Sequence, residues 1–344
     1  MPSFPSWVSA RRRREPALDG LRGLAVLLVY LFHYGGGLRS SNVLVRGLGY
    51  LTEAGWVGVI LFFALSGFLI TGSLWDSREQ PHVLRNFYLR RMLRIFPVYY
   101  AAVLVAIFAA VARGTRYAEL GPVLLYLGFL QNLPGLVTTA LLPISPLPLF
   151  HLWSLAVEEQ FYLLWPAFIL WSPRRSTALN LSLWFVGGSE LFRILTHLPI
   201  VDPEFAATFD PFLFTHAGTL ALGAALALAL RGPQIELVEK LARPAFFTGV
   251  GLYLLVSLWC RSFYLSPYPQ FTLGLFGVGL ASVAAIPLLM RPGRAHRFFS
   301  LPPLRYMGRV SYSFYVLHIM IAPMIDTVGE HVAHAGSGST YQLI

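Results

Sequence analysis

Cysteine and lysine are almost absent from this sequence, and so are the common signatures of soluble enzymes. The 344 residues include one cysteine, Cys260, which excludes an intrachain disulfide and a cysteine-bound metal cluster. Lys240 is the single lysine, so arginine carries nearly all of the positive charge. No GxSxG elbow, P-loop or GxGxxG motif is present, which leaves serine hydrolases, nucleoside triphosphatases and dinucleotide-binding enzymes without support.

Charged residues of both signs are also few. They make up 12% of the sequence against 56% hydrophobic residues, which is typical of a protein that crosses a membrane many times. The net charge of +10 comes from short basic stretches between apolar spans. This pattern is typical of positive-inside orientation and of contact with membrane lipid, so we expect no nucleic-acid partner.

The apolar pattern predicts an all-α fold, a polytopic membrane helical bundle of about ten transmembrane helices. Residues 1–17 are predicted to be a cytoplasmic basic segment, residues 18–328 the transmembrane domain, and residues 329–344 a polar C-terminal tail. The basic stretch at residues 78–94 is predicted to be a cytoplasmic loop. Residues 120–150 are too short and too rich in proline for a clear span, and two topologies stay open, one in which they cross the membrane and one in which they return.

The first predicted span carries ionisable residues that a bilayer ordinarily excludes: Asp19, Arg22 and His33. Arg22 and His33 leave the same helix face about 16 Å apart along the axis, which indicates a polar cavity. Asp19 and Arg22 taken alone are explained equally well by snorkelling to the membrane interface. Histidine titrates near neutral pH and can accept a proton from an alcohol, so His33 is a candidate base.

Three arginines, Arg90, Arg91 and Arg94, precede the third predicted span. Arg91 and Arg94 are three residues apart and share a helix face, and paired guanidinium groups bind phosphate or pyrophosphate well. A positive-inside anchor is the simpler explanation when this stretch is taken alone.

The stretch HLWSLAVEEQFY, which begins at His151, places Glu158 and Glu159 inside an apolar span, where neither can face lipid. Successive helical residues point about 100° apart, so we expect one carboxylate in a cavity and the other on an arginine. Glu159 is preferred for the cavity because it aligns with Tyr162. The spacing of His151 and the carboxylates does not match a metal site, so we expect none.

Five stretches in this order resemble the membrane-bound acyltransferase family 3, the OafA/YrhL-like O-acyltransferases. They are Arg22 with His33, ALSGFLI, the run from Arg90 to Pro97, HLWSLAVEEQFYLLWP and GRVSYSFYVLHI. The resemblance implies transfer of an acyl group, usually acetyl, from acyl-CoA to a hydroxyl of a carbohydrate, glycolipid or small natural product. It also implies that His33 and Arg22 are essential and that Arg91 and Arg94 serve the donor. We expect a multi-pass protein of the bacterial inner membrane.

The expected site residues fall into three groups. They are His33, Glu159 and Asp19 for catalysis, Arg22, Arg90, Arg91 and Arg94 for acyl-CoA, and His151, Trp153 and Glu158 for the acceptor. His33 acts either as a base or as a transient acyl carrier, and Asp19 as an orienting group. We expect no bound cofactor, with acetyl-CoA as donor substrate. His318 and the pair Glu190 with Arg193 are expected to be structural.

Two other functions fit parts of the pattern. A transporter or flippase of a lipid-linked sugar would also line its route with charged groups, but it usually has inverted repeats, and the sequence shows none. A catalytically inactive scaffold would not need the histidine and arginine motifs. The identity of the acceptor, the acyl chain length and the oligomeric state stay open.

Overall fold

The computed structural model describes residues 15–35, 42–114, 121–136, 148–198, 200–265 and 269–333. Within these ranges the chain is helical and contains no β-strand, which confirms the all-α prediction. The α-helices are α1 (Pro16–Gly35), α2 (Val43–Glu53), α3 (Val57–Ser77), α4 (Val83–Ala112), α5 (Gly121–Leu127), α6 (Trp153–Leu170), α7 (Arg175–Thr196), α8 (Pro203–Ala207), α9 (Leu213–Ala229), α10 (Ile235–Cys260), α11 (Leu275–Met290), α12 (Arg294–Phe299) and α13 (Pro302–Ala333). Short 3₁₀ turns precede α3 and α6, and a π-helical turn, Gln270–Gly274, runs into α11. The predicted polar tail lies mostly outside the described residues.

Five helical segments in the described ranges are long and apolar enough to cross a membrane. They are Pro16–Gly35, Leu44–Ser77, Val83–Ala112, Ile235–Cys260 and Gln270–Met290. The helix α9 is apolar but has 17 residues, fewer than the roughly 20 that a perpendicular span needs. A multi-pass helical membrane protein is therefore supported, whereas the number of about ten spans stays a prediction.

The basic stretch before the third predicted span is helical, so the prediction of a loop at residues 78–94 was wrong for most of its length. The helix α4 begins at Val83 and runs for 30 residues through the arginines and Pro97 to Ala112. Arginine, leucine and methionine are good helix formers, and the positive-inside pattern reports sidedness without reporting secondary structure. As a result, Arg91 and Arg94 are fixed on one continuous helix.

Contacts between helix ends show which segments lie together. Arg231, after α9, pairs through its Nε and Nη2 atoms with both carboxylate oxygens of Asp76 at the end of α3, at 2.7 and 2.6 Å. His296 of α12 lies 3.6 Å from Glu15, immediately before α1. These segments share one end of the bundle with the start of α1. We call it the basic end, and the positive-inside rule predicts that it faces the cytoplasm.

The segment between α4 and α6 starts and finishes at the opposite end. Arg175, which follows α6, donates to the carbonyl of Leu228 near the basic end at 3.0 Å, so α6 begins at the far end. The helix α5 has seven residues, which is about 10 Å and too short to cross a bilayer. The hydroxyl of Tyr99 in α4 donates to the carbonyl of Tyr126 in α5 at 2.8 Å. Of the two topologies left open, this packing fits the one in which the segment returns.

The first and last helices, α1 and α13, touch through glycines. A Cβ atom added at Gly23 would overlap the carbonyl oxygen of Leu304 and lie against the backbone nitrogen of Gly308. A Cβ atom added at Gly308 would overlap the carbonyl oxygen of Asp19. Small residues allow two helices in a membrane to approach at backbone distance. This crossing lies near the basic end, and from it both helices run toward the opposite end.

Candidate active site

A first cavity lies near the basic end, between α1, α3, α4, α6 and α13. We call it the arginine cavity, and its volume is about 100 Å³. Its polar lining includes Arg22, Ser66, Arg91, Arg94, Glu158 and Tyr162. Arg94 is exposed, whereas the Arg22 side chain is only 19% exposed. The cavity therefore presents positive charge from the surface inward.

Hydrogen bonds and ring contacts hold the polar groups of the arginine cavity. Glu158 accepts a hydrogen bond from Ser66 Oγ at 2.7 Å and another from the Tyr162 hydroxyl at 2.9 Å. The Arg91 guanidinium lies 3.8 Å from the centroid of the Tyr162 ring, a cation–π geometry. Arg22 Nη1 is 3.9 Å from Asp19 Oδ1, one turn away. Because Tyr162 contacts both Glu158 and Arg91, it links the carboxylate to the arginine.

The structure brings together some of the predicted site residues at this cavity. Arg22, Arg91 and Arg94 all line it, and their role in donor binding stays a prediction. Arg90 is exposed on the same helix and does not line the cavity. Glu158 lines the cavity and Glu159 does not, which differs from the expected placement of Glu159, and a catalytic role for either carboxylate stays a prediction. Successive helical side chains point about 100° apart, so only one of the two carboxylates can face this cavity. Glu158 faces it and accepts hydrogen bonds from Tyr162 on its own helix and from Ser66 on α3.

A second, larger cavity lies toward the opposite end. We call it the histidine cavity, and its volume is about 680 Å³. Its lining includes His33, His151, His197 and His216, together with the aromatic residues Phe32, Trp56, Phe150, Trp153, Tyr264 and Phe271. Glu158 was predicted to act with His151 and Trp153 at an acceptor site. The structure separates them, because His151 and Trp153 line the histidine cavity and Glu158 lines the arginine cavity.

Hydrogen bonding defines the tautomer of His33. Its Nδ1 lies 2.9 Å from the carbonyl oxygen of Val29. A carbonyl can only accept, so Nδ1 carries the proton and donates, which leaves the Nε2 lone pair without a proton. His151 is held in the opposite way, because its Nε2 lies 3.1 Å from the carbonyl of Val316 and donates to it. The imidazole of His33 is therefore set up as a proton acceptor through Nε2 at the wall of the histidine cavity.

Tyr315 of α13 separates the two cavities, because its side chain lines both of them. Its hydroxyl donates to the carbonyl of His151 at 2.9 Å and lies 2.5 Å from Ser154 Oγ. Val59 of α3 also lines both cavities. A ligand that extends from the arginine cavity into the histidine cavity must pass these two side chains.

Sequence reasoning missed several groups of the histidine cavity. His197 Nε2 lies 3.0 Å from Asp210 Oδ1, and the His197 ring stacks on Phe271 with centroids 4.2 Å apart. His216 is buried, and its Nε2 donates to the carbonyl of Asp210 at 2.9 Å. Both histidines could have been predicted from the sequence, because histidine is rare in or beside apolar segments, and His33 was selected for the same reason.

From the sequence, no metal site was expected, and Asp19 was expected to be an orienting group. Among the described residues, no group of three or more His, Cys, Asp or Glu side chains is arranged to hold a metal ion. The expected absence of a metal stays a prediction. Asp19 is buried at the crossing of α1 and α13 and lines neither cavity. Its position fits an orienting or structural group.

A buried positive cavity that meets a histidine-lined cavity across one tyrosine defines a class of membrane protein. An anionic ligand and a second, neutral ligand can approach each other inside such a helical bundle. This arrangement is compatible with enzymes that transfer a group between two substrates, because such enzymes hold the two reactants close together.

The chain belongs to the membrane-bound acyltransferase family 3. The family model that matches is described as an acyltransferase domain and covers residues 15–341. This confirms the resemblance seen in the five sequence stretches and disfavours the transporter alternative.

Three bacterial proteins similar to this chain are named as O-acetyltransferases. The peptidoglycan O-acetyltransferase OatA of Listeria monocytogenes is 29% identical over 341 residues, which cover 93% of this chain and 51% of the relative. The putative peptidoglycan O-acetyltransferase YrhL of Bacillus subtilis is 27% identical over 345 residues, covering 93% and 51%. The O-acetyltransferase OatA of Staphylococcus aureus is 27% identical over 333 residues, covering 92% and 52%. The chain spans about half the length of these curated relatives. No solved structure matches it.

Proposed function

We propose that this chain is an integral membrane O-acetyltransferase, which moves an acetyl group from acetyl-CoA to a hydroxyl of a carbohydrate, glycolipid or small natural product. One observation carries the proposal: the arginine cavity and the histidine cavity meet at Tyr315. The names of the relatives support the reaction class, and two of them include peptidoglycan, which makes a glycan the first acceptor to test.

The arginine cavity is the proposed donor site. Arg94 at the surface and Arg91 beside it would bind the phosphates of coenzyme A, since guanidinium groups form paired hydrogen bonds with phosphate oxygens. The cavity of about 100 Å³ is too small for the nucleotide, so only the pantetheine arm would enter. Arg22 and His33 are about 16 Å apart along α1, a distance of the same order as that arm.

His33 is the proposed catalytic residue. Its Nε2 would remove the proton of the acceptor hydroxyl, and the oxygen would attack the thioester carbonyl. The new C–O bond replaces the C–S bond, and the departing thiolate takes the proton from His33 to give free coenzyme A. In a second route, the same nitrogen attacks the thioester first, the C–S bond breaks and the coenzyme A thiolate leaves. The hydroxyl oxygen then takes the acyl group as the N–C bond breaks, and the hydroxyl proton goes to the thiolate to give free coenzyme A.

The proposed sidedness follows from the two ends of the bundle. With the basic end in the cytoplasm, acetyl-CoA would bind from the cytoplasm, where it is made. The histidine cavity lies toward the opposite end and would receive the acceptor from the outer half of the membrane. This fits a protein of the bacterial inner membrane whose products are exported or surface glycans.

The test is acyl transfer by the purified full chain in lipid vesicles. Radiolabelled acetyl-CoA is supplied with neutral sugars, lipid-linked disaccharides or peptidoglycan fragments, and the products are analysed by mass. We expect the mass of one acetyl group on at least one hydroxyl-bearing acceptor. Movement of a lipid-linked sugar across the vesicle without loss of acetyl-CoA would contradict the proposal and support a flippase.

A further inference from the structure

The last helix places a second histidine against His33. His318 Nε2 lies 3.1 Å from His33 Nδ1, and the two ring centroids are 4.9 Å apart. His318 is 4% exposed, so this contact is shielded from solvent. His318 was expected to be structural, yet its closest polar side-chain contact is His33, the candidate catalytic base.

The backbone around His318 defines which of its nitrogens carries the proton. His318 Nδ1 lies 2.7 Å from the carbonyl oxygen of Tyr315, one turn earlier in α13. Because a carbonyl oxygen only accepts, Nδ1 donates and Nε2 keeps its lone pair. The proton on His33 Nδ1 therefore has two acceptors, the carbonyl of Val29 at 2.9 Å and His318 Nε2 at 3.1 Å.

The orientation of His318 is itself fixed from two helices. The hydroxyl of Tyr34 in α1 donates to the backbone carbonyl of His318. The ring of Phe314 lies nearly parallel to the His318 ring, with an interplanar angle of 7° and centroids 6.1 Å apart. His151 packs edge-on at 5.2 Å. A side chain held in this way keeps its Nε2 directed at His33.

We propose that His318 is a positioning residue for His33, an inference that rests on the proposed function. His318 Nε2 accepts a hydrogen bond from His33 Nδ1 alongside the Val29 carbonyl. It thereby helps to hold His33 with Nε2 unprotonated before reaction and stabilises the imidazolium formed when His33 takes the hydroxyl proton. A carboxylate would do the same but would bury a charge at a high desolvation cost, which a neutral imidazole avoids.

The kinetic test compares His318→Ala, His318→Gln and Leu317→Ala in the full chain. For His318→Ala we expect kcat per folded protein to fall about 10- to 100-fold, the effect of one hydrogen bond to a charged group, with KM for acetyl-CoA within about twofold. The glutamine Oε1 can accept a hydrogen bond from the same N–H group. His318→Gln should therefore recover at least about one third of the decrease in log kcat seen in His318→Ala. Leu317 is 39% exposed on the same helical turn, and its alanine variant should match wild type.

A spectroscopic test needs no turnover. Nitrogen-15 NMR of labelled histidine in the wild-type chain should show His33 as the Nδ1–H tautomer. His318→Ala should keep that tautomer, because the Val29 carbonyl still accepts from Nδ1, but should shift the His33 Nδ1 resonance, because one of the two acceptors is lost. Unchanged kcat in His318→Ala, a change confined to KM, or an Nε2–H tautomer of His33 in the wild type would each overturn the inference. If the wild type transfers no acyl group to any acceptor, the proposed function fails while the NMR result still decides the role of His318.

Discussion

The arginine cavity places three guanidinium groups around about 100 Å³, whereas the histidine cavity surrounds about 680 Å³ with imidazole and aromatic rings. The first is narrow and charged, and it can admit a thin anionic ligand only with its bulky part outside. The second is wide and mostly neutral, and it can enclose a ring-shaped acceptor. The comparison shows that one bundle keeps a strongly charged cavity apart from a mostly neutral cavity lined by histidines.

The separation has a physical reason. Fixed positive charge close to a histidine favours its unprotonated form but also opposes the imidazolium that a base must become, so a general base gains from distance to the arginines. In the arginine cavity, the Glu158 carboxyl group lies beside the arginines and accepts hydrogen bonds from Ser66 and Tyr162. In the histidine cavity, the neighbours of His33 are His151 and His318.

The largest expected effect comes from removing the base at the neutral site. His33→Ala should lower kcat about 10²- to 10⁴-fold, the usual contribution of a general base, with acetyl-CoA binding unchanged because the proposed donor site lies at the other cavity. Kinetics and equilibrium binding of acetyl-CoA on the same preparation measure both quantities. Loss of donor affinity equal to the loss of rate would show that the two cavities are not separate sites.

The second effect concerns the charged site. Arg91→Ala or Arg94→Ala alone should raise KM for acetyl-CoA about 10- to 100-fold, because one charge-assisted hydrogen bond contributes about 1.5–3 kcal/mol, and kcat at saturating donor should stay near wild type. Arg90→Ala is the matched control on the same helix, since Arg90 does not line the cavity. An equal rise in KM in the control would mean that donor recognition is spread over the helix surface.

The smallest expected effect distinguishes Glu158 from Glu159 by the change in KM that each substitution causes. Glu158→Gln should raise KM for acetyl-CoA about threefold to tenfold, because it weakens the hydrogen bond that holds Tyr162 under Arg91. Glu159→Gln should change KM by less than about twofold, since Glu159 lies outside both cavities. The reverse order would restore the original preference for Glu159.

Local patterns could predict the residues of the arginine cavity better than the pairings of the histidine cavity. Arg22, Arg91 and Arg94 were expected together because charge inside an apolar helix is rare and helical spacing reveals a common face. The choice between Glu158 and Glu159 depended on the rotation of α6, which spacing alone does not give. Arg90 was grouped with its neighbours because sequence proximity does not distinguish faces of the same turn.

The pairing of His33 with His318 lay beyond local patterns. The two residues are 285 positions apart, and nothing near either one indicates the other. Their contact follows from how α1 and α13 cross, which is a property of tertiary packing. The loop predicted at residues 78–94 failed for a different reason, because a basic composition is compatible with a loop and with a helix at the membrane surface.

The glycine crossing of α1 and α13 sets a constraint on chain length. His33 lies ten residues beyond Gly23, and His318 lies ten residues beyond Gly308. At 1.5 Å per residue, both imidazoles stand about 15 Å from the point where the backbones touch. A one-residue insertion between Gly23 and His33, or between Gly308 and His318, would rotate the histidine by about 100° and separate the pair. We expect these two helix segments to tolerate substitution on their lipid-facing sides but no insertion or deletion.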